Sequence, residues 1–112
     1  MLIFKIFLRA EWDHLAAAGR SSGAPIDLAD GYIHLSTAAQ VAETAARYFA
    51  GHSDLVLVAV DSVALGADLK WEPSRGGALF PHLYRDLTLA DVVWDKSLPL
   101  GAAGHIFPEG VI

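Results

Sequence analysis

The sequence predicts an α+β domain, with a small mixed, mainly antiparallel sheet accompanied by two helices. Three observations point there: strand-like runs outnumber helical stripes, both helical stripes lie in the first half of the chain, and no regular strand–helix–strand series follows them. The length of 112 residues suits a single domain over residues 1–112. A chain of this size buries roughly two thirds of the surface it exposes when unfolded, enough for one core.

Residues 2–8 form an apolar, β-rich run whose only charge is Lys5, which suits a strand covered on one or both faces. Over residues 11–18, Trp12, Leu15 and Ala16 recur at helical spacing, acidic residues open the turn and Gly19 supplies a left-handed stop. Ser21-Ser22-Gly23-Ala24-Pro25 is turn chemistry, and Asp30-Gly31 is a second turn leading into a strand over residues 32–36. Thr37 followed by Gln40 matches a capping box. Behind it, Ala38, Val41, Ala42, Ala45, Ala46 and Phe49 make the apolar stripe of a helix over residues 38–50, ended by Gly51. Residues 55–60 are continuously apolar between Asp54 and Asp61, as a central strand buried on both faces requires. Residues 68–72 alternate, with Leu69 and Trp71 on one face and Asp68, Lys70 and Glu72 on the other. Residues 73–77 read as a loop, residues 82–87 and 91–95 as strands, and the glycines and Pro108 beyond Pro99 as an irregular tail.

Composition removes several function classes. The net charge is -5 and the eight basic residues are scattered, so the electrostatic footprint of a nucleic-acid binder is missing. With no cysteine there is no disulfide framework, thiolate nucleophile or Cys-ligated zinc, which fits a cytoplasmic location. The hydrophobic share is 54%, yet no run approaches the ~20 apolar residues that span a bilayer. No membrane association is expected. The apolar start lacks a basic leading region and a small-residue cleavage site, so no signal peptide is expected either. Gly76-Gly77 is too short for a phosphate-cradling glycine motif.

The chemistry concentrates in two segments, Asp30-Gly31-Tyr32-Ile33-His34-Leu35-Ser36-Thr37 and Phe80-Pro81-His82-Leu83-Tyr84. Successive side chains of a strand point to opposite faces, which sets Tyr32, His34 and Ser36 against Ile33 and Leu35, and His82 and Tyr84 against Leu83. Both histidines should therefore leave the core face. His34 and Ser36 stand just before the helix that starts near Thr37, where free amides and the positive helix end favour an anion such as phosphate. The structural alternative is that His34 bonds a neighbouring strand and Thr37 caps the helix. His82, following Pro81, and Tyr84 form a second histidine–hydroxyl pair, and Glu72 is the candidate carboxylate. His34, His82 and Glu72 would be competent zinc or iron ligands, but no local His-x-His pair supports a metal site, and none is assigned. Ser36 lacks the Gly-x-Ser-x-Gly setting of a hydrolase nucleophile.

These segments, with Trp12 and Gly19, the strand over residues 54–60 and Trp71-Glu72, resemble the bacterial and plant family called domain of unknown function 952, over nearly the whole chain. That family is similar in fold to ADP-ribosyltransferases, and Ile33-His34-Leu35-Ser36 is similar to a His-containing strand of RNA 2′-phosphotransferases. The resemblance implies an ADP-ribosyltransferase-like fold and NAD as a cofactor. It places His34, Ser36 and Thr37 on the second strand of such a site and gives Glu72 the acidic role. Lys5 stands on the first strand, where a His or Arg would hold the adenosine side of NAD; an ammonium can pair with phosphate but lacks the guanidinium fork. The sequence thus predicts a cleft for a nucleotide-like or phosphorylated small molecule, with His34, Glu72 and His82 as catalytic candidates and Lys5, Ser36, Thr37 and Tyr84 as binding candidates. Two rivals stand beside it: a noncatalytic domain that contacts a protein or peptide, and a metal-dependent hydrolase.

Overall fold

The computed structural model describes residues 1–111. Along the chain the elements are β1 (Leu2–Leu8), α1 (Arg9–Ala18), β2 (Arg20–Ser21), α2 (Pro25–Asp30), β3 (Ile33–His34), β4 (Ser36–Thr37), α3 (Ala38–Tyr48) and β5 (Leu55–Asp61). There follow β6 (Leu69–Pro73), β7 (Leu79–Leu83), β8 (Leu87–Thr88), β9 (Val92–Leu98), β10 (Leu100–Gly101) and β11 (Gly104–His105). A four-stranded sheet runs in the order β4-β1-β5-β9, and a three-stranded sheet in the order β3-β7-β6. Two short ladders, β2-β8 and β10-β11, complete the pairing, and every pair is antiparallel. The α+β class holds, with three α-helices among the described residues where two were predicted. No helix is long and apolar enough to cross a membrane.

Strand alternation divides the interior in two. Ile3 and Phe7 of β1 join Val56, Val58 and Val60 of β5 on one face, packed against Trp12 and Leu15 of α1 and against Ile33, Leu35 and Leu83 of the smaller sheet. Phe4 and Ile6 join Leu55, Leu57 and Ala59 on the other face, beneath Val41 and Ala45 of α3. β5 is therefore buried on both faces, as its unbroken apolar run predicts. Lys5 lies between Ile3 and Phe7 on the strand, so its side chain enters the first of these cores and is only 6% exposed.

The departures from the sequence expectation come from local punctuation that serves a helix as well as a turn, and from strand pairing that overrules local signals. Residues 25–30, read as the space between two turns, form α2, with Pro25 in its first turn and Gly31 closing it at φ 85. A proline inside the start and a left-handed glycine past the end are helix punctuation as much as turn punctuation. The strand expected over residues 32–36 is split: β3 pairs with β7, whereas β4 crosses to pair with β1, and Leu35 bridges the two sheets by donating its N–H to the Pro81 carbonyl. The strand expected over residues 82–87 instead occupies Leu79–Leu83 and carries Pro81 in its middle. A proline argues against a strand interior, and here one is tolerated between two neighbours. The tail beyond Pro99 is not wholly irregular. It makes the β10-β11 hairpin, His105 bonds the His52 carbonyl at 2.8 Å, and Val111 returns to the core under α3.

Candidate functional site

The register of the smaller sheet sets His34 directly opposite His82. Cross-strand partners stand side by side on the same face, and the two imidazole centroids are 5.4 Å apart. Tyr32 covers both, stacked 4.1 Å from the His82 ring, 4.6 Å from His34 and 5.2 Å from Tyr84. The cover alters one expectation: His82 does leave the core face, since Leu83 is the core residue, but Tyr32 and the sheet enclose it to 2% exposure. Tyr32 itself has its phenol pushed up by desolvation and by the charges of Asp30, Glu72 and Asp27.

Each histidine leans on a carboxylate. Asp27, on α2, is 1% exposed and accepts four hydrogen bonds. Its Oδ1 takes the His34 backbone N–H at 3.0 Å and His34 Nδ1 at 2.6 Å, while its Oδ2 takes the Ala24 N–H and the Lys5 ammonium, each at 2.7 Å. Burial pushes the Asp27 carboxyl up, but the His34 bond and the Lys5 charge outweigh it and hold the group below its ordinary value. A buried charge pair of this kind is tolerable because the charges are opposed at 2.7 Å and the carboxylate's acceptors are filled. Gly23 completes the packing, for a Cβ there would collide with the Asp27 carboxylate. On the other side, His34 Nε2 meets Asp30 Oδ2 at 2.9 Å, so both ring nitrogens of His34 are engaged with protein carboxylates.

His82 differs. Its Nδ1 donates to Glu72 Oε1 at 2.8 Å, and the same oxygen accepts the Tyr84 hydroxyl at 2.7 Å. The Tyr84 and His82 bonds hold the Glu72 carboxyl below its ordinary value, and the bond to Glu72 pushes the Tyr84 phenol up to about 12. Nε2 of His82 has no protein partner, yet no buried side-chain nitrogen or oxygen among the described residues is left unsatisfied. That nitrogen is therefore reachable from the cavity the ring lines. In the neutral ring, a carboxylate on Nδ1 selects the tautomer that leaves Nε2 as an acceptor, the arrangement a general base needs.

The cavity has a volume of ≈ 640 Å³ and runs between the two sheets and α3. His34, His82, Ser36 and Lys5 line one part of it, and Tyr48, Phe49, Phe80 and Arg75 another. Exposed Leu8, Ile26 and Tyr48 also belong to its wall, so the apolar surface of this region faces a concavity. A second, shallower depression of ≈ 210 Å³ carries Tyr84, Arg85 and Asp86 on the far side of Tyr32.

Of the predicted residues, His34, Ser36, His82 and Lys5 meet at the cavity. Lys5 spends its ammonium on Asp27, and Ser36 Oγ lies 3.0 Å from Thr44 Oγ1. Glu72 and Tyr84 stand behind His82 and do not line the cavity. Thr37 is outside it too; its N–H donates to Gln40 Oε1 at 3.1 Å, the helix-capping alternative. His82 and Glu72 are hydrogen-bonded, and His34 stands beside His82 with ring centroids 5.4 Å apart while bonding Asp27 and Asp30 instead; no group of three or more His, Cys, Asp or Glu among the described residues could hold a metal ion. Two residues of the site stand outside the predicted set: Asp27, whose signal is its place two residues after Pro25 in a helical first turn, and Arg75, which no motif distinguishes.

Comparison with known proteins gives the fold a relative and leaves the chemistry open. The chain is similar to protein CC0527 from Caulobacter crescentus, whose crystal structure superimposes with a TM-score of 0.90 at 55% identity, over 94% of this chain and 92% of that one. The solution NMR structure of CC0527 superimposes with a TM-score of 0.84 at 56% identity, over 93% and 90% of the two chains. No curated protein matches the chain. The family described as "Protein of unknown function (DUF952)" matches residues 6–95, and the chain belongs to it.

Proposed function

We propose that the cavity binds a phosphorylated, nucleotide-like small molecule and that His82 exchanges a proton with it through Nε2. The observation that carries this is the paired imidazoles on a concave wall of ≈ 640 Å³, a volume within the ordinary range of ligand sites, about 300–1,000 Å³. The apolar side chains offer a base or sugar face its contact, and the polar groups are few and convergent. Glu72 then acts through His82, as a positioning residue, with Tyr84 holding the carboxylate in place. His34, tied to Asp27 and Asp30, supplies wall rather than a free acceptor.

NAD is the cofactor that a relation to ADP-ribosyltransferases implies, and the residues fit it in part. The cationic and hydroxyl groups of the cavity suit its phosphates. The acidic role does not fit Glu72, whose carboxylate faces His82 and Tyr84 instead of the cavity, so no step through NAD is derived.

Calorimetric titration with ADP-ribose, NAD and nucleoside phosphates is the test. Saturable heat from any of them, abolished or weakened in His82→Ala with the fold intact, supports the proposal. Silence from all of them at millimolar concentration overturns it. A noncatalytic peptide-binding domain would then be the better account of the same apolar wall.

A further inference from the structure

Beside His82 Nε2, the cavity holds an arginine, Arg75, without a close carboxylate partner. Of the five arginines, Arg9 reaches Asp54 at 3.2 Å, Arg20 reaches Asp86 at 2.9 Å, Arg47 reaches Glu43 at 3.3 Å and Arg85 reaches Asp91 at 2.8 Å. Arg75 has only Glu43 Oε1, at 3.9 Å, and that oxygen is the one Arg47 already holds. Its side chain is nevertheless just 15% exposed. The guanidinium lies against two rings, with Cζ 4.8 Å from the Phe80 centroid and 5.6 Å from that of Tyr48. Aromatic contact of this kind occupies the faces of the guanidinium and leaves the N–H groups pointing outward in its plane. Nη2 donates to Thr44 Oγ1 at 3.3 Å. The other donors of the fork have no close protein acceptor, and none of them is a buried unsatisfied atom, so they open onto the cavity or solvent.

We infer that Arg75 is the anion anchor of the cavity and receives a phosphate of its ligand in the plane of the guanidinium, beside the Ser74 and Thr44 side chains on the same wall. A half-enclosed arginine, held by rings and short of a carboxylate, is preorganised to take a tetrahedral anion through two parallel hydrogen bonds. The rest of the ligand then lies along the Phe80 side of the cavity toward Nε2 of His82. This inference rests on the small-molecule function proposed above and adds to it the group that selects for charge.

The probes are ADP, inorganic pyrophosphate and uncharged adenosine, titrated by calorimetry into wild-type protein, Arg75→Gln, Arg75→Lys and His82→Ala, with circular dichroism confirming each fold. Arg75→Gln should weaken ADP and pyrophosphate by about tenfold to a hundredfold, the usual worth of a charge-assisted hydrogen-bonded pair, and leave adenosine unchanged. Arg75→Lys, which keeps the charge but loses the fork, should fall between. ADP binding that Arg75→Gln leaves intact while His82→Ala weakens it overturns the anchor alone. Equal weakening of ADP and adenosine by Arg75→Gln also overturns it, since that marks a packing role. No binding of any probe to the wild-type protein overturns the anchor and the small-molecule function together.

Discussion

The two carboxylate–histidine pairs of the site are mirror images in burial. In Asp27–His34 the acid is sealed, at 1% exposure, and the imidazole is 30% exposed on its side chain. In Glu72–His82 the imidazole is sealed, at 2%, and the carboxylate side chain is 36% exposed. The saturated pair is a structural joint: Asp27 ties α2 to β1 through Lys5 and to β3 through His34. The other pair leaves a ring nitrogen open toward the cavity and keeps its acid where water can screen it. Similar chemistry thus divides into a pair with every nitrogen engaged and a pair with one ring nitrogen left open, and the division follows from which partner is buried.

Breaking the buried acid should have the largest effect. Asp27→Ala leaves the Lys5 ammonium without its partner inside the core and removes the acceptor of two backbone N–H groups. Loss of one partner of a buried ion pair costs about 3–5 kcal/mol, a large share of the stability of a domain this size. Chemical denaturation should register it as a lower midpoint with an unchanged slope. A variant within 1 kcal/mol or so of wild type would mean that Asp27 is not the joint described. The same carboxylate sets the acid response. Because its folded value lies below 3.8, the stability it contributes is complete well above that pH and drains away as pH falls through the lower, folded value. Stability measured from pH 6 downward should therefore decline in wild type, and decline less steeply in Asp27→Asn.

Much of the fold was legible because burial writes itself into apolar runs. β1, β5 and α3 follow directly from residues 2–8, 55–60 and the stripe from Ala38 to Phe49. The repeated histidine–hydroxyl pattern of the two segments was legible, but whether His34 and His82 meet was not, because only strand pairing brings their rings to 5.4 Å. What stayed hidden depends on long-range contact. Glu72 looked like a free acid on a polar strand face, and nothing local reveals that His82, ten residues on, occupies it. Asp27 carried no local signal in a stretch read as the space between two turns, and its role depends on Lys5, 22 positions earlier, which meets it at 2.7 Å. Arg75 is distinguished by its distant carboxylate, Glu43 at 3.9 Å, and by the Phe80 and Tyr48 rings it lies against, none of which a local motif reveals.

The smallest effect sharpens the comparison most directly. Glu72→Gln keeps the shape and an acceptor oxygen but removes the charge, so it should disturb folding far less than any change at Asp27. Its signature lies in Tyr84, whose phenol stands at about 12 because its hydroxyl donates to that carboxylate. A phenolate forming there would have to surrender the bond and face a negative neighbour. With the charge gone, the Tyr84 midpoint should drop from about 12 toward its ordinary 10.0, followed by NMR of ring-labelled tyrosine. Tyr32, raised first by desolvation, should move little, because removing Glu72 leaves its burial and the charge of Asp30 in place. A Tyr84 midpoint that stays near 12 in Glu72→Gln would show the bond to be incidental, and with it the claim that Glu72 governs His82 from the solvent side.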